Sequence, residues 1–120
     1  MMQLTFYIIT CKLLSDYPFE FKKTIPNCID SNKSIFRNIT EGYSLKSIAE
    51  YIRFLDFALA SIGEYYTCIN SFYKAEQISA DTFELLDKLL IKQKNELIQL
   101  IKSLQKKLKN GDWQSTFLND

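Results

Sequence analysis

Two interleaved heptad patterns run through residues 45–73, and they constrain the fold more than any other feature of the chain. Each alternates steps of three and four residues, the spacing of a helical face that packs on a partner helix. The first pattern contains Leu45, Ile48, Ile52, Leu55, Leu59, Ile62, Tyr66, Ile69 and Tyr73. The second contains Tyr51, Phe54, Ala58, Ser61, Tyr65, Cys68 and Phe72. A helix with two such faces needs partners on two sides, so we expect another subunit to supply some of them.

The remainder of the chain has the periodicity of three further helices. Glycine occurs 3 times and proline 2 times, a scarcity typical of all-helical proteins. Spacing and end signals predict helices over about residues 3–15, 26–41, 44–75 and 79–110. We therefore predict an all-α, antiparallel up-down-up-down four-helix bundle over residues 1–111 that oligomerises. A short C-terminal tail follows over residues 112–120, and its Trp113, Phe117 and Leu118 can fold back onto an apolar surface.

Helix ends are predicted from local signals. Gly42 suits the left-handed conformation that ends a helix, and Ser44 and Ser79 are good N-cap residues for the third and fourth helices. Hydrophobic staples are predicted between Tyr43 and Ile48 and between Ile78 and Phe83. Gly63 lies inside the third helix, where we interpret it as a point of close helix packing.

The second and fourth helices each show one predicted core face. For the second helix the face contains Ile29, Phe36, Ile39 and Tyr43, with Asn32 as its polar member. For the fourth helix it contains Phe83, Leu86, Leu90, Gln93, Leu97, Leu100 and Leu104.

Charge and cysteine usage exclude several classes of protein. The formal net charge of +1 argues against a surface that attracts nucleic acid everywhere, although it allows a local basic stripe. Cys11, Cys28 and Cys68 are odd in number and form no CxxC pair, and histidine is absent. We therefore expect no disulfide and no zinc site, and interpret the thiols as buried and reduced in a cytoplasmic protein.

We expect neither a targeting segment nor a catalytic constellation in this sequence. Its apolar start lacks a basic n-region and is interrupted by Lys12, so we interpret it as the first core helix of a soluble protein. Without histidine there is no imidazole base, no glycine-rich phosphate loop is present, and the glutamates lack the Glu-x-x-His partner of bundle metal sites. We predict a protein that is not an enzyme and that binds no cofactor, metal or membrane.

Residues 34–42 read SIFRNITEG, and an EYIRFL stretch follows over residues 50–55, with Ser61 and Glu64 three residues apart beyond it. Over residues 34–108 the chain resembles the four-helix-bundle family encoded by intervening sequences in bacterial 23S ribosomal RNA genes. Its members often carry a Ser-Ile-x-x-Asn-Ile-x-Glu-Gly signature followed by a Glu-aromatic-x-Arg-Phe-Leu stretch.

The resemblance implies a homopentamer of antiparallel bundles arranged as a barrel, with no enzymatic activity. It also implies kinship with the accessory protein of diversity-generating retroelements, which works with a reverse transcriptase and nucleic acid. Two departures remove positive charge that family members commonly carry. Ile29 and Asp30 stand where a basic pair is common, and Leu45 stands where an arginine is frequent.

Two groups of polar residues are candidate sites. The first is a buried network that would fix helix register or a subunit interface, formed by Asn38, Glu41, Arg53, Ser61 and Glu64. The alternative places Asn38 and Glu41 at an exposed helix end and Arg53 on a solvated face. The second group, here called the lysine stripe, recurs in steps of four and three along one face of the fourth helix: Lys88, Lys92, Asn95, Gln99, Lys102, Lys106 and Lys109.

The lysine stripe has two interpretations. Five lysines of the stripe can follow a phosphate backbone: Lys88, Lys92, Lys102, Lys106 and Lys109. Repetition of the stripe around a ring would multiply their positive electrostatic field. They can equally form a solvated face whose last members complement the helix dipole. Two function hypotheses follow: an oligomeric scaffold that binds RNA or DNA, and a protein–protein interaction module that docks a partner such as a polymerase without binding nucleic acid.

Overall fold

The computed structural model describes residues 2–14, 24–45 and 47–110, which form four α-helices and contain no strand. The helices are α1 (Met2–Leu14), α2 (Thr24–Tyr43), α3 (Ile48–Lys74) and α4 (Ala80–Asn110). The all-helical class with four helices is thus confirmed. The predicted tail over residues 112–120, including Trp113, Phe117 and Leu118, lies outside the described residues. None of the four described helices is long and apolar enough to cross a bilayer.

The helices surround one elongated core. α1 and α3 each pack against both α2 and α4, so α2 and α4 occupy opposite corners of a body that measures 51 × 19 × 19 Å. Three contacts between α2 and α3 fix their relative register. Gly42 lies against Tyr51, Ser34 against Ser61 and Cys28 against Cys68, so residue numbers fall along α2 as they rise along α3.

Both heptad patterns of α3 contribute to this core. The buried residues of α3 are Ile48, Tyr51, Leu55, Ala58, Ser61, Ile62, Tyr65, Ile69 and Phe72. Members of the second pattern meet α1 and α2 of the same chain. The ring of Tyr65 meets Phe6 edge to face with centroids 5.3 Å apart, and Ser61 contacts Ser34. The second pattern is therefore covered largely within one chain, and it does not by itself require a second subunit.

The buried face of α2 differs from the predicted one by a single residue step. Cys28, Asn32, Ile35, Ile39 and Gly42 are buried in steps of four, three, four and three. Of the predicted face Ile29, Phe36, Ile39 and Tyr43, Ile39 is buried, two members are partly buried, and Tyr43 is 56% exposed. The row begins at Cys28 and ends at Gly42, two small residues at which α2 comes close to α3.

The turn between α2 and α3 also differs from the prediction. Gly42 lies inside α2, and the N-cap of α3 is Ser47, whose Oγ accepts the Glu50 N–H at 3.0 Å, rather than Ser44. Ser44 instead donates its hydroxyl to the Glu41 carbonyl at 2.7 Å. A Cβ at Gly42 would lie 2.8 Å from the Cβ of Phe54. The glycine is therefore needed for close approach to α3, and not for a left-handed helix end.

The start of α4 agrees with the sequence prediction. The Ser79 Oγ accepts the backbone N–H of Thr82 at 3.1 Å, which is the hydrogen bond expected of an N-cap. Ile78 is buried and Phe83 packs against the same apolar cluster, as the predicted staple requires. Along α4 the buried residues are Leu86, Leu90, Gln93, Leu97, Ile101 and Leu104. After Leu97 the buried face of α4 shifts by one residue. Ile101 is therefore buried where Leu100 was predicted, and Leu100 is partly buried.

The expectation that the cysteines are unpaired is wrong for two of the three. Cys28 of α2 and Cys68 of α3 form a disulfide with Cα atoms 5.6 Å apart, whereas Cys11 of α1 is a free thiol. Cys28 lies in a small apolar cluster with Phe72 and Ile78. The bond therefore joins the beginning of α2 to the end of α3.

Candidate functional site

The lysine stripe lies on the outer side of α4. Every one of its seven members is exposed, because Leu86, Leu90, Leu97 and Leu104 hold the opposite side of the helix in the core. Between Lys88 and Lys109 the stripe extends over about 30 Å at the rise of an α-helix. The structure thus presents Lys88, Lys92, Lys102, Lys106 and Lys109 to solvent along one line.

The charge of this surface increases toward the end of α4. No acidic residue occurs from residue 97 to residue 110, where four lysines fall. None of the five stripe lysines forms an ion pair with an acidic side chain in the described ranges. Unpaired ammonium groups at the C-terminal end of a helix favour its dipole and also remain available to an anionic ligand.

The predicted polar network forms only in part, and its centre is a residue that was not among its predicted members. The Oγ atoms of Ser34 and Ser61 are 2.9 Å apart. The Asn38 amide donates to the Ser34 Oγ at 3.1 Å and to the Ser34 carbonyl at 2.9 Å. Arg37 also donates to the Ser34 Oγ at 3.4 Å. Ser34 therefore joins Asn38 of α2 to the buried Ser61 of α3.

Within the described ranges, the other three predicted members form no hydrogen bond with this cluster. Glu41 and Glu64 are exposed. Arg53 pairs with Glu50 at 3.2 Å and its guanidinium lies 5.7 Å from the ring centroids of both Phe54 and Phe57. For Arg53 the structure thus corresponds to the alternative of a solvated face. The arginine that reaches the cluster is Arg37, one helical turn before Glu41.

A groove of about 560 Å³ lies between α2 and α3 on the outside of the bundle, and it is called the polar groove here after the residue types that line it. It is lined by Asn27, Asp30, Ser31, Ser34, Glu64, Thr67 and Cys68. The α2 side of this polar groove was missed, although Asn27, Ser31, Ser34 and Asn38 recur in steps of four, three and four. That spacing is the sequence signal that predicts a polar row along one helix face.

The motif over residues 34–42 therefore lies along the contact between α2 and α3. There Asn38 donates to Ser34, and Ser34 bonds to Ser61 of α3. Residues 6–110 match the profile of the 23S rRNA-intervening sequence protein family. The chain belongs to this family. A crystal structure of a protein of unknown function from the S23 ribosomal protein family of Bacteroides thetaiotaomicron has the same fold. The similarity has a TM-score of 0.76 at 23% sequence identity and covers 84% of this chain and 95% of that chain. No curated protein matches the chain.

This 23S rRNA-intervening sequence protein has a second groove, which is mainly apolar, between α3 and α4. The apolar groove, of about 330 Å³, is lined by Leu59, Ile62, Gly63, Tyr66, Asp87, Leu90, Ile91 and Lys94. Tyr66 is 41% exposed and Ile91 51% exposed. A Cβ at Gly63 would meet nothing within 4 Å. The interpretation of Gly63 as a point of close helix packing within the chain is therefore wrong.

Polar groups also occupy the centre of the bundle. The hydroxyls of Thr10 and Tyr65 are 2.9 Å apart and both residues are fully buried. Burial raises the pKa of Tyr65 far above its ordinary value, against the smaller opposing effect of the Thr10 hydrogen bond. Asn32 and Gln93 are buried as well, and both polar side-chain atoms of Asn32 and the Gln93 side-chain oxygen find no hydrogen-bond partner within the described part of the chain.

The surfaces of this family member offer charged and apolar groups that can bind a ligand. In residues 2–14, 24–45 and 47–110 there is no group of three or more histidine, cysteine, aspartate or glutamate side chains that could hold a metal ion. Exposed lysines bind phosphates as point charges, without the planar geometry of arginine. The arrangement can therefore hold a polyanion along α4 and an apolar side chain in the apolar groove.

Proposed function

We propose that this protein is a non-catalytic, cytoplasmic scaffold that binds RNA or DNA through the lysine stripe of α4. In this proposal its subunits are antiparallel up-down-up-down bundles that associate into a homopentameric ring, as the family resemblance implies. The observation that carries the proposal is the line of five exposed lysines, none paired with an acidic residue in the described ranges.

The geometry of the stripe supports a polyanionic ligand. Its length of about 30 Å corresponds to about nine base pairs of duplex at 3.4 Å per step. The chain as a whole carries a net charge of only +1, so attraction would be confined to this line rather than spread over the surface. Repetition of the stripe around a ring would add the fields of the subunits.

A salt titration of binding to a labelled RNA and to a DNA duplex tests the proposal. The logarithm of the association constant should fall linearly with the logarithm of the salt concentration, because lysines displace condensed counterions from the phosphates. For the duplex, a slope near −4.5 per subunit is expected if all five lysines engage, at about −0.9 per contact.

Two variants of equal charge separate a local site from general attraction. Lys102→Gln with Lys106→Gln should reduce the magnitude of the duplex slope by about 1.8. Lys33→Gln with Lys74→Gln, both at exposed positions off α4, should leave the slope unchanged. The proposal would be refuted by equal effects of the two pairs, or by no salt-sensitive binding at low ionic strength.

The second candidate function is a protein–protein interaction module that does not bind nucleic acid. The observation in its favour is the apolar groove, where Tyr66 and Ile91 are exposed beside the open position Gly63. Such a patch is typical of docking sites for an apolar side chain. This function predicts that Ile91→Asp abolishes capture of a polymerase partner while nucleic-acid binding stays undetectable in both proteins.

The mass of the native assembly decides whether the ring exists. Light scattering during size-exclusion chromatography, repeated at a series of dilutions, should give five times the chain mass of 14.1 kDa. A folded single copy at every concentration would remove the ring and leave the lysine stripe to act within one subunit.

A further inference from the structure

The two sulfurs of the Cys28–Cys68 disulfide have different surroundings. Cys28 is fully buried in the apolar cluster with Phe72 and Ile78. Cys68 is partly exposed and lines the polar groove between α2 and α3. A molecule in the polar groove therefore meets the Cys68 residue and not the fully buried Cys28.

The polar groove also has a charge preference. Asp30 and Glu64 line it from α2 and α3, and its remaining members Asn27, Ser31, Ser34 and Thr67 are neutral hydrogen-bonding residues. Arg37 reaches the groove only through Ser34. Ser34 faces Ser61, whereas Cys68 lies seven residues farther along α3. Among the described residues that line it, the groove near Cys68 thus presents two carboxylates and no cation.

We propose that Cys28–Cys68 is a reversible thiol-exchange site, and that the polar groove selects small cationic thiols, such as simple aminothiols, to open it. The partly exposed Cys68 is the sulfur that is attacked. The two carboxylates attract the ammonium group of the reagent and repel an anionic thiol of similar size. This inference does not depend on the proposed binding of nucleic acid.

The exchange proceeds in two balanced steps. The thiolate of a first small thiol attacks the Cys68 Sγ, the Cys28–Cys68 bond breaks, and Cys28 leaves as a thiolate that takes a proton from water. The thiolate of a second small thiol then attacks the reagent sulfur of the mixed disulfide. Cys68 is released and takes a proton, and the two reagent molecules leave as their own disulfide, having supplied two electrons.

Burial of Cys28 makes the first step easy to reverse. An apolar environment disfavours the thiolate and makes it a poor leaving group. It also keeps the freed sulfur beside the mixed disulfide, where it can displace the reagent. We therefore expect complete opening to depend on the second thiol, and a singly modified protein to carry the reagent on Cys68.

The first experiment establishes the bond and the site of attack. Intact and peptide mass spectrometry of the non-reduced protein should show Cys28 linked to Cys68 and a free thiol at Cys11. After brief treatment with the aminothiol cysteamine and an acid quench, the adduct should lie on Cys68. Three free thiols in protein exposed to air, or an adduct mainly on Cys28, would overturn the proposal.

The second experiment measures the charge preference. Opening rates are compared for cysteamine, neutral 2-mercaptoethanol and anionic 2-mercaptoethanesulfonate, each expressed per thiolate and divided by its rate with an unstructured reference disulfide. Cysteamine should react about fivefold faster than the neutral reagent, and the sulfonate about fivefold slower. This magnitude is expected because the two carboxylates act on the reagent over several ångströms in a partly aqueous groove.

Paired charge variants show whether the polar groove causes this preference. Asp30→Asn with Glu64→Gln should bring the three normalised rates within a factor of two of one another. Asp56→Asn with Glu84→Gln, which remove two exposed carboxylates outside the groove, should keep the wild-type order. Equal rates in the wild-type protein, or an unchanged order in the groove variant, would show that the groove does not select the thiol.

Discussion

The two ends of the α2–α3 interface are held together by different means. At the beginning of α2, Cys28 is bonded to Cys68 above a small apolar cluster that includes Phe72. At the other end, Gly42 brings the α2 backbone so close to α3 that a Cβ there would lie 2.9 Å from the Tyr51 ring. One end depends on a covalent bond and the other on the absence of a single side chain.

The difference shows how packing and cross-linking substitute for each other. The main hydrophobic core contains many buried residues of α3 and α4, whereas the small apolar cluster has three buried members in the described residues, Cys28 included. A covalent link stabilises the sparsely packed end by restricting the unfolded chain. The glycine end needs no link, because close contact supplies dispersion energy along the helices.

Removal of the disulfide should have the largest effect on stability. The bond closes a segment with a sequence separation of 40, for which loop-closure entropy gives about 4 kcal/mol. Cys28→Ala with Cys68→Ala should therefore lower the melting temperature by about 15 °C, measured by circular dichroism. Treatment of the wild-type protein with a phosphine reductant should produce most of the same decrease.

Cys11→Ala serves as the control for this measurement, because Cys11 is a free thiol outside the bond. Its melting temperature should respond to the reductant as the wild-type protein does. If the oxidised and reduced wild-type proteins melt at the same temperature, the disulfide does not stabilise this end of the interface beyond its noncovalent packing.

Gly42→Ala should have the next largest effect and tests the other end. The new Cβ would lie 2.8 Å from the Phe54 Cβ, so the helices must separate. We expect the free energy of unfolding to fall by about 1–2 kcal/mol in urea titration, after the helix preference of alanine is included. Gly63→Ala is the matched control, and its open position predicts a gain of up to about 1 kcal/mol. A gain for both substitutions would contradict the steric interpretation of Gly42.

Alkaline pH should destabilise the bundle between its two ends, where Tyr65 lies. The pKa of Tyr65 is raised from 10.0, mainly by burial, so above pH 10 only the unfolded chain readily loses this proton. The free energy of unfolding should then fall by up to about 1.4 kcal/mol per pH unit. Below pH 10 the contribution is fully present.

Tyr65→Phe distinguishes this titration from general alkaline effects. The substitution lowers stability at neutral pH because Thr10 loses its partner, but it should make the decrease above pH 10 less steep. Tyr66→Phe, at an exposed position, should leave the wild-type slope in place. An identical slope in all three proteins would remove Tyr65 as the cause.

The smallest expected effect concerns the hydroxyl pair in the middle of the interface. A double-mutant cycle with Ser34→Ala and Ser61→Ala should give a coupling of about 0.5–1 kcal/mol, because their hydroxyls bond directly at 2.9 Å. Ser31 bonds locally to the Asn27 carbonyl, so the cycle of Ser31→Ala with Ser61→Ala should be additive. Coupling in both cycles would indicate a shift of α2 as a whole.

Periodicity was sufficient for the long helices but not for the register between them. The heptad steps predict the buried side of α4, including the polar Gln93, because a long amphipathic helix averages over local errors. In the shorter α2 the predicted face included Tyr43, which is exposed. The buried face of α2 includes Gly42, where the helix comes close to α3. The spacing of apolar residues does not predict such a tertiary contact.

The candidate site was predictable where it depends on one helix and not where it depends on two. The exposed lysine stripe follows from spacing along α4 alone. The polar cluster does not, because Ser34 became its centre through Ser61 on α3. Likewise, Cys28 and Cys68 are too far apart in sequence for any spacing rule to pair them. Ser44 was predicted as the cap of α3, but α2 continues through Gly42 to Tyr43, and the cap is Ser47.

The distribution of charge along α4 has an electrical consequence. Asp81, Glu84 and Asp87 lie in its first turns, whereas residues 97–110 contain four lysines and no acidic residue. With a net charge of only +1, the chain has almost no monopole, but α4 separates charge along its own axis. Such a longitudinal separation turns the lysine-bearing end of the rod toward a polyanion before contact, within a screening distance of about 8–10 Å at physiological salt.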